Sequence, residues 1–318
     1  NMRSLMDLYY EFTDAVSLED IQRWYSEDNA GKPFPVPKVK GGDRQLVNVK
    51  PTPAQESLLM DVIAGFDGLP NISDPYERNA ARLRLMDRAR KISLDARAVD
   101  SRSASTEPNG KLEQASQNIK RIYDAHSADK GTQMVFLDRS VPKARGDDKV
   151  LKEYDALVAK RSEALASGDE AAFQAVQESL DRFDPNEMAE LRGAQAGGWN
   201  AYQQIKDNLV AAGVPANEIR FIQDANNDEQ KQALFDAVNS GRVRVLLGSS
   251  QRMGAGTNAQ KRLVGLHHID VTWKPSDIEQ REGRIIRQGN ELLDKYGDDF
   301  AVEILAYATE RTVDAKRW

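Results

Sequence analysis

The sequence predicts an α/β chain with a three-layer parallel sheet, on three observations. From residue 133 onward, short apolar runs bounded by polar turns recur, the pattern of strands buried on both faces. Between them lie helical segments with clear start and stop signals, and alternation of strand and helix is what a parallel sheet requires. The chain has 318 residues, 40% hydrophobic and 30% charged, enough length and apolar content to bury the core that such a sheet needs.

The elements follow in order. Ser17 with Asp20 resembles a capping box opening a short helix through Trp24. Gly31 to Lys38 is rich in proline and reads as a linker. Arg44 to Lys50 alternates and predicts a short strand. Thr52, Pro53 and Gln55 form a strong helix start, and that helix runs to about Ala64. A second helix spans about Pro75 to Ile92 with Arg78, Arg82, Arg84, Arg88 and Arg90, and a third about Lys111 to Ala125. Residues 100–110 are small and polar, a mobile composition.

Beyond them, Gln133–Leu137 is an apolar strand, and residues 143–195 predict an acidic helical hairpin inserted after it. Tyr202–Ala212 is a helix stopped by Gly213. Ile219–Ile222 is a strand, and Asn227 caps the next helix with Gln230 at its third position. Val243–Leu247, Leu263–Ile269 and Ala301–Tyr307 complete the strands, with a helix from Asp277 to Gln288 opened by Ser276 and Glu279. The expected organisation is residues 1–43 as the end of a preceding unit, 44–127 as a mainly helical region, and 128–318 as the α/β domain with the insertion at 143–200.

Composition narrows the chemistry. With no cysteine, disulfides, thiol nucleophiles and cysteine-based metal sites are excluded, which fits a cytoplasmic protein. No apolar run is long enough to span a membrane, and Asn1-Met2-Arg3-Ser4 has no apolar core of a secretory signal. His267 and His268 are neighbours on a predicted strand and point to opposite faces, a poor arrangement for one metal. Net charge is −6, yet residues 241–290 hold nine basic against four acidic residues, while 143–200 hold eight against twelve. A local basic stretch is either an ordinary solvated face or a phosphate-binding surface.

Two segments carry candidate chemistry. Gly248 to Asn258 follows a buried strand and contains Ser249, Ser250, Gly254, Gly256, Thr257 and Asn258. Ligands of open parallel sheets gather at the carboxyl ends of strands, where glycines let backbone amides approach a phosphate. It is no Walker A loop, since Gly-x4-Gly-Lys-Ser/Thr occurs nowhere in the chain. In the second segment, Gln280, Arg284 and Arg287 are spaced i, i+4, i+7 and share one face of the predicted helix, with Ile278 and Ile285 on the opposite face toward the core. Arginine forks pair bidentately with phosphate oxygens. The alternative is a surface salt-bridge helix.

Taken together these segments resemble superfamily 2 helicases of the Swi/Snf type. Ser250–Asn258, with Gly-x-Gly-x-Asn, resembles motif V, and Gln280-x-x-Gly283-Arg284-x-x-Arg287-x-Gly289 resembles motif VI. Thr132–Asp138 resembles motif IV, and Gln223-Asp224 with the helix after it resembles the next element. The strand and capping box at 44–55 resemble the entry to the helical region between two motor lobes. Glu303–Tyr307 with Thr312–Ala315 resembles the strand and helix that follow motif VI. The likeness covers about 44–318. More narrowly, Leu266–Arg284 resembles the helicase-like region of very large phage and plasmid proteins. Some of those carry an adenine-specific DNA methyltransferase, among them DarB-type antirestriction proteins. Arg90–Arg97 resembles their linker-helix motif without its Asp-Gly, and no methyltransferase motif is present.

The resemblance implies the RecA-like C-terminal lobe of an ATP-dependent DNA helicase or translocase in a bacterial host cell, inactive as an ATPase alone. It implies Arg287 as an arginine finger, Arg284 as a second phosphate or interlobe contact and Gln280 as a hydrogen-bonding partner there. Gly283, Gly256 and Asn258 would belong to the ATP side, and Ser249, Ser250, Gly254 and Thr257 to DNA. ATP and Mg2+ would be held mainly by a separate N-terminal lobe, which with DNA makes up the expected partners. The alternative is a non-catalytic interaction module of a phage or plasmid DNA-processing polypeptide, with the acidic insertion as its contact. A free-standing mononucleotide enzyme is disfavoured by the missing Walker A and Rossmann glycine patterns.

Overall fold

The strands form because β-branched and aliphatic runs can bury both faces only when neighbours pair on either side. In the computed structural model they do so. The structure describes residues 18–31, 34–100, 103, 110–140, 147–183, 188, 199–253, 258–272 and 275–316. It divides into residues 1–36 and 37–318. In the first unit, helix α1 (Leu18–Asp28) runs four residues past Trp24, and Tyr25 meets Phe34 edge-on at 5.3 Å.

In the second unit seven strands make one sheet, every pairing parallel. They are β1 (Lys38–Val39), β2 (Gln45–Val49), β3 (Thr132–Phe136), β4 (Ile219–Phe221), β5 (Val245–Gly248), β6 (Leu263–His268) and β7 (Ala301–Thr309). The order is β1-β7-β6-β3-β5-β4. Strand β2 also pairs with β7, along residues 305–309, beyond the stretch taken by β1. The α/β parallel-sheet architecture expected from the sequence is therefore present. The 44–50 segment, assigned from sequence to a helical region, is the sheet's edge.

Helices α2 (Pro53–Gly68) and α3 (Pro75–Leu94) pack on each other through Val62, Ala89 and Ile92. Thr52 and Gln55 make the anticipated reciprocal cap, Gln55 N–H donating to Thr52 Oγ1 at 3.2 Å and Thr52 N–H to Gln55 Oε1 at 2.9 Å. Helix α4 (Lys111–Ala125) buries Leu112, Ala115, Ile119 and Ile122 completely in the sheet core. At about 2 kcal/mol for each fully buried large aliphatic side chain, this face fixes the helix on the sheet. Helices α5 (Asp147–Ser167) and α6 (Glu170–Leu180) form the inserted hairpin around Leu151, Tyr154, Phe183 and Met188. Gly168 turns it at φ +73°, a backbone that other residues rarely adopt, and Asp169 caps α6. Helices α7 (Ala201–Ala211), α8 (Asp228–Asn239), α9 (Pro275–Glu282) and α10 (Glu291–Tyr296) connect the remaining strands.

Two expectations need correction. The helix predicted over 277–288 ends at Glu282. After Gly283 the backbone tightens, Arg284 N–H donating to Arg281 O and Ile285 N–H to Glu282 O, so the pattern continues inward as a turn. Gln280, Arg284 and Arg287 therefore do not share a helix face. The same helix begins at Pro275, which places Ser276 inside its first turn rather than at its cap.

Candidate functional site

Strands β4 and β5 lie to one side of β3 and β6 and β7 to the other. The connection leaving β3 runs toward β4 and the one leaving its neighbour β6 runs toward β7, and such a switch opens a crevice at the carboxyl ends of the strands. At those ends stand Asp138 after β3, Ser250 after β5 and Asp270 after β6. Arg281, in the last turn of α9, reaches all three with a side chain only 1% exposed. Its Nε donates to Ser250 Oγ at 2.7 Å and its Nη2 to Asp138 Oδ2 at 2.7 Å. Its Nη1 donates to Asp270 O at 3.2 Å, and Asp270 Oδ1 lies 3.6 Å from Nη2. The guanidinium carbon sits 5.1 Å from the centre of the Phe136 ring.

The carboxylates also hold backbone. Asp138 Oδ1 accepts the Ser250 N–H at 2.6 Å, and Oδ2 accepts the Ser250 hydroxyl at 3.0 Å. Asp270 Oδ2 accepts the N–H groups of Asp138 and Arg139 at 2.8 and 3.0 Å. Four segments distant in sequence are thus tied by one buried cation and two carboxylates. Burial, with the Asp138 charge adding to it, pushes the Asp270 carboxyl up to about 6.

The two neighbouring histidines face opposite sides, as strand alternation requires. His267 contacts Tyr307 OH through Nδ1 and Gln133 Oε1 through Nε2, both at 2.9 Å. Burial lowers it to about 3. His268 Nε2 lies 3.1 Å from Glu282 Oε1, and its Nδ1 lies 3.3 Å from Arg281 Nη1. A carboxylate only accepts and a guanidinium only donates, so Nε2 carries the hydrogen and Nδ1 the lone pair. The ring is neutral, consistent with burial lowering it to about 4. Glu282 Oε1 also accepts Arg44 Nη1 at 2.8 Å, linking α9 to the start of β2.

The positions singled out from sequence divide. Gln280 and Arg287 are exposed, Arg284 half-buried, and Gly283 exposed. Partial burial, with the Arg287 charge adding to it, lowers the Arg284 pKa. Ser249 is buried, its Oγ accepting the Arg252 N–H at 3.4 Å. A contact from the Ser250 hydroxyl to a phosphate would compete with Asp138 and Arg281. Asn258 is exposed, its carbonyl accepting Asn239 Nδ2 at 2.6 Å. Gly254, Gly256 and Thr257 lie outside the described residues. Met253, fully buried, packs against Gly248, where a Cβ would fall 2.6 Å from the methionine side chain.

The described residues of and just beyond the first segment touch the second at two places. Ser250 meets Arg281 at one end, and at the other Gln260 Nε2 donates to Gln288 O at 3.5 Å. Beyond, Asn290 Nδ2 donates to Leu263 O at 2.8 Å, so residues 283–290 run from the carboxyl end of β6 back to its start.

Sequence reasoning missed Arg281, Asp270 and Glu282 as site residues. The signal was present: Arg281 is three residues after Ile278 and four before Ile285, on the inward face. A cation turned inward beside strands ending in Asp138 and Asp270 needs those carboxylates.

No family model and no curated protein matches the chain. The C-terminal part of the Fun30 ATPase domain is similar with a TM-score of 0.47 and 10% identity, over 88% of each chain. The Hef helicase domain of Pyrococcus furiosus has a TM-score of 0.35 and 12% identity, over 96% of this chain and 64% of that one.

Proposed function

We propose that the chain is the second, RecA-like motor lobe of an ATP-dependent DNA helicase or translocase, contributing an arginine finger and backbone contacts. The observation that carries this reading is the pair of contacts Ser250–Arg281 and Gln260–Gln288, which bring the chain before and after residues 254–257 to the second segment. A buried lattice fixes one end of the pair, while Arg287 is exposed and Arg284 half-buried. Guanidinium forks match the oxygens of a phosphate.

The residues fit a nucleotide in part. Arg284 and Arg287 supply charge for phosphate oxygens, with Gln280 exposed one turn earlier on α9. The sequence has no phosphate loop, and among the described residues no group of three or more His, Asp or Glu side chains is placed to hold a metal. ATP and Mg2+ would therefore be held mainly on a partner lobe, where ATP supplies the free energy of phosphoryl transfer. Arg287 stabilises charge on the transferring group, Arg284 holds the lobes in register, Gly256 and Asn258 belong to the ATP side, and Gly254 and Thr257 contact the DNA backbone. Such contacts read phosphates and not bases.

In the full-length gene product, Arg287→Ala lowers DNA-stimulated ATP hydrolysis by about 10³-fold or more, the usual loss for an arginine finger. An unchanged rate in a folded variant refutes the assignment. No helix among the described residues is long and apolar enough to cross a membrane.

A further inference from the structure

Helix α3 carries Arg78, Arg82, Arg84, Arg88, Arg90 and Lys91 against Glu77 and Asp87, in a chain whose net charge is −6. Helix cations are ordinarily matched by carboxylates one turn away. Here Asp87 is already shared between Lys91 at 3.0 Å and Arg139 at 2.7 Å. Arg78 turns onto the backbone carbonyls of Ile72 and Ser73. Arg82, Arg84 and Arg88 are exposed and make no hydrogen bond or ion pair with the described residues. Arg84, Arg88 and Lys91, spaced i, i+4, i+7, form one stripe. It borders the face through which Leu85, Ala89 and Ile92 pack on α2.

The carboxyl half of α3 lies against the same end of the sheet as the site above. Asp87 pairs with Arg139, the second residue after Leu137. The Ser93 carbonyl accepts the hydroxyl of Thr309, the last residue of β7, at 2.7 Å. Arg90 and Leu94 line a small polar cavity with Arg139, Asp270 and Val271.

We infer that the Arg84–Arg88–Lys91 stripe is a track for the phosphate backbone of a DNA duplex, extending contacts away from the strand ends. Guanidinium forks suit phosphate oxygens. No aromatic follows Tyr76 in α3, so the helix lacks the stacking platform by which single strands are gripped. Leu83 is its one exposed large apolar side chain among the described residues, whereas a helix lying in a membrane surface needs a continuous apolar face. The inference rests on the motor reading only for the position of the duplex, and its test leaves ATP out.

The test is fluorescence anisotropy of this chain with a labelled duplex of mixed sequence, titrated with salt. For Arg84→Glu with Arg88→Glu, affinity falls at least about ten-fold at low salt and the slope of log affinity against log salt drops by about 2, the signature of two lost phosphate contacts. Arg84→Lys with Arg88→Lys retains binding, and thermal melts show all variants folded. Lys160→Glu with Arg182→Glu, the same charge change on the inserted hairpin, leaves affinity within two-fold. An unchanged slope in the α3 variant overturns the track, as does equal loss in the hairpin variant. Binding to anionic vesicles or an acidic peptide without binding to the duplex also overturns it. The track is read by duplex binding of this chain without ATP and the finger by ATP hydrolysis in the full-length gene product, so failure of the one and failure of the other register separately.

Discussion

Arg281 and Arg287 are six residues apart in one motif, and the fold treats them in opposite ways. Arg281 is sealed at the strand ends by Asp138, Asp270, Ser250 and His268, with 1% of its side chain exposed. Arg287 stands exposed. The difference comes from local backbone. As long as α9 is helical, Arg281 points with Ile278 toward the sheet. At Gly283 the helix gives way to a turn, and the residues after it are aimed by that turn and by Ile285, buried completely, instead of by helical periodicity. A buried cation among carboxylates tightens the fold only while every partner is present, and losing one leaves a charge stranded. An exposed arginine costs the fold little to keep or remove, and so is available to a ligand.

That contrast can be broken most strongly at Asp138. Asp138→Ala removes the nearest carboxylate from Arg281 and the acceptor of the Ser250 N–H, and a loss of about 3–4 kcal/mol in urea unfolding is expected. A loss under about 0.5 kcal/mol, typical of surface changes, denies that the lattice holds the strand ends.

A smaller effect sharpens the comparison through pH. His267 and His268 are held near 3 and 4, below an unfolded value of about 6.5. The unfolded chain therefore binds more protons between pH 4 and 6.5, and stability falls as pH drops through that window. Asp270 acts oppositely: raised from 3.8 to about 6, it binds its proton in the folded state first, and its contribution grows as pH falls from 6 toward 4. Asp270→Asn removes the opposing contribution, so acid destabilisation between pH 6.5 and 4 becomes steeper by about 2 kcal/mol. Chemical unfolding at several pH values checks the sign, and a shallower fall in the variant contradicts it.

The strands were legible because each is an apolar run with no competing pattern; β3, β5, β6 and β7 lie within two residues of their expected bounds. Thr52 and Asn227 act as caps because a cap is decided within three residues. The partner of β2 was not legible: Gln45 pairs with Leu305, 260 residues away, and only tertiary contact sets that. The early end of α9 was hidden by Ile278 and Ile285, whose seven-residue spacing suits a continuing helix, while Gly283 is only a weak breaker. The site was half legible. The glycine-rich turn and the arginine pattern marked its place, yet attention to the outward positions passed over Arg281, whose role is set by charges at the ends of three other segments.

The central claim is that one motif divides its arginines, one holding the fold together and one presented outward. It is tested most directly by urea unfolding of Arg281→Ala and Arg287→Ala side by side. The account predicts a loss of about 3–5 kcal/mol for Arg281→Ala and under about 0.5 kcal/mol for Arg287→Ala. Equal losses, or the larger loss at Arg287, would contradict it.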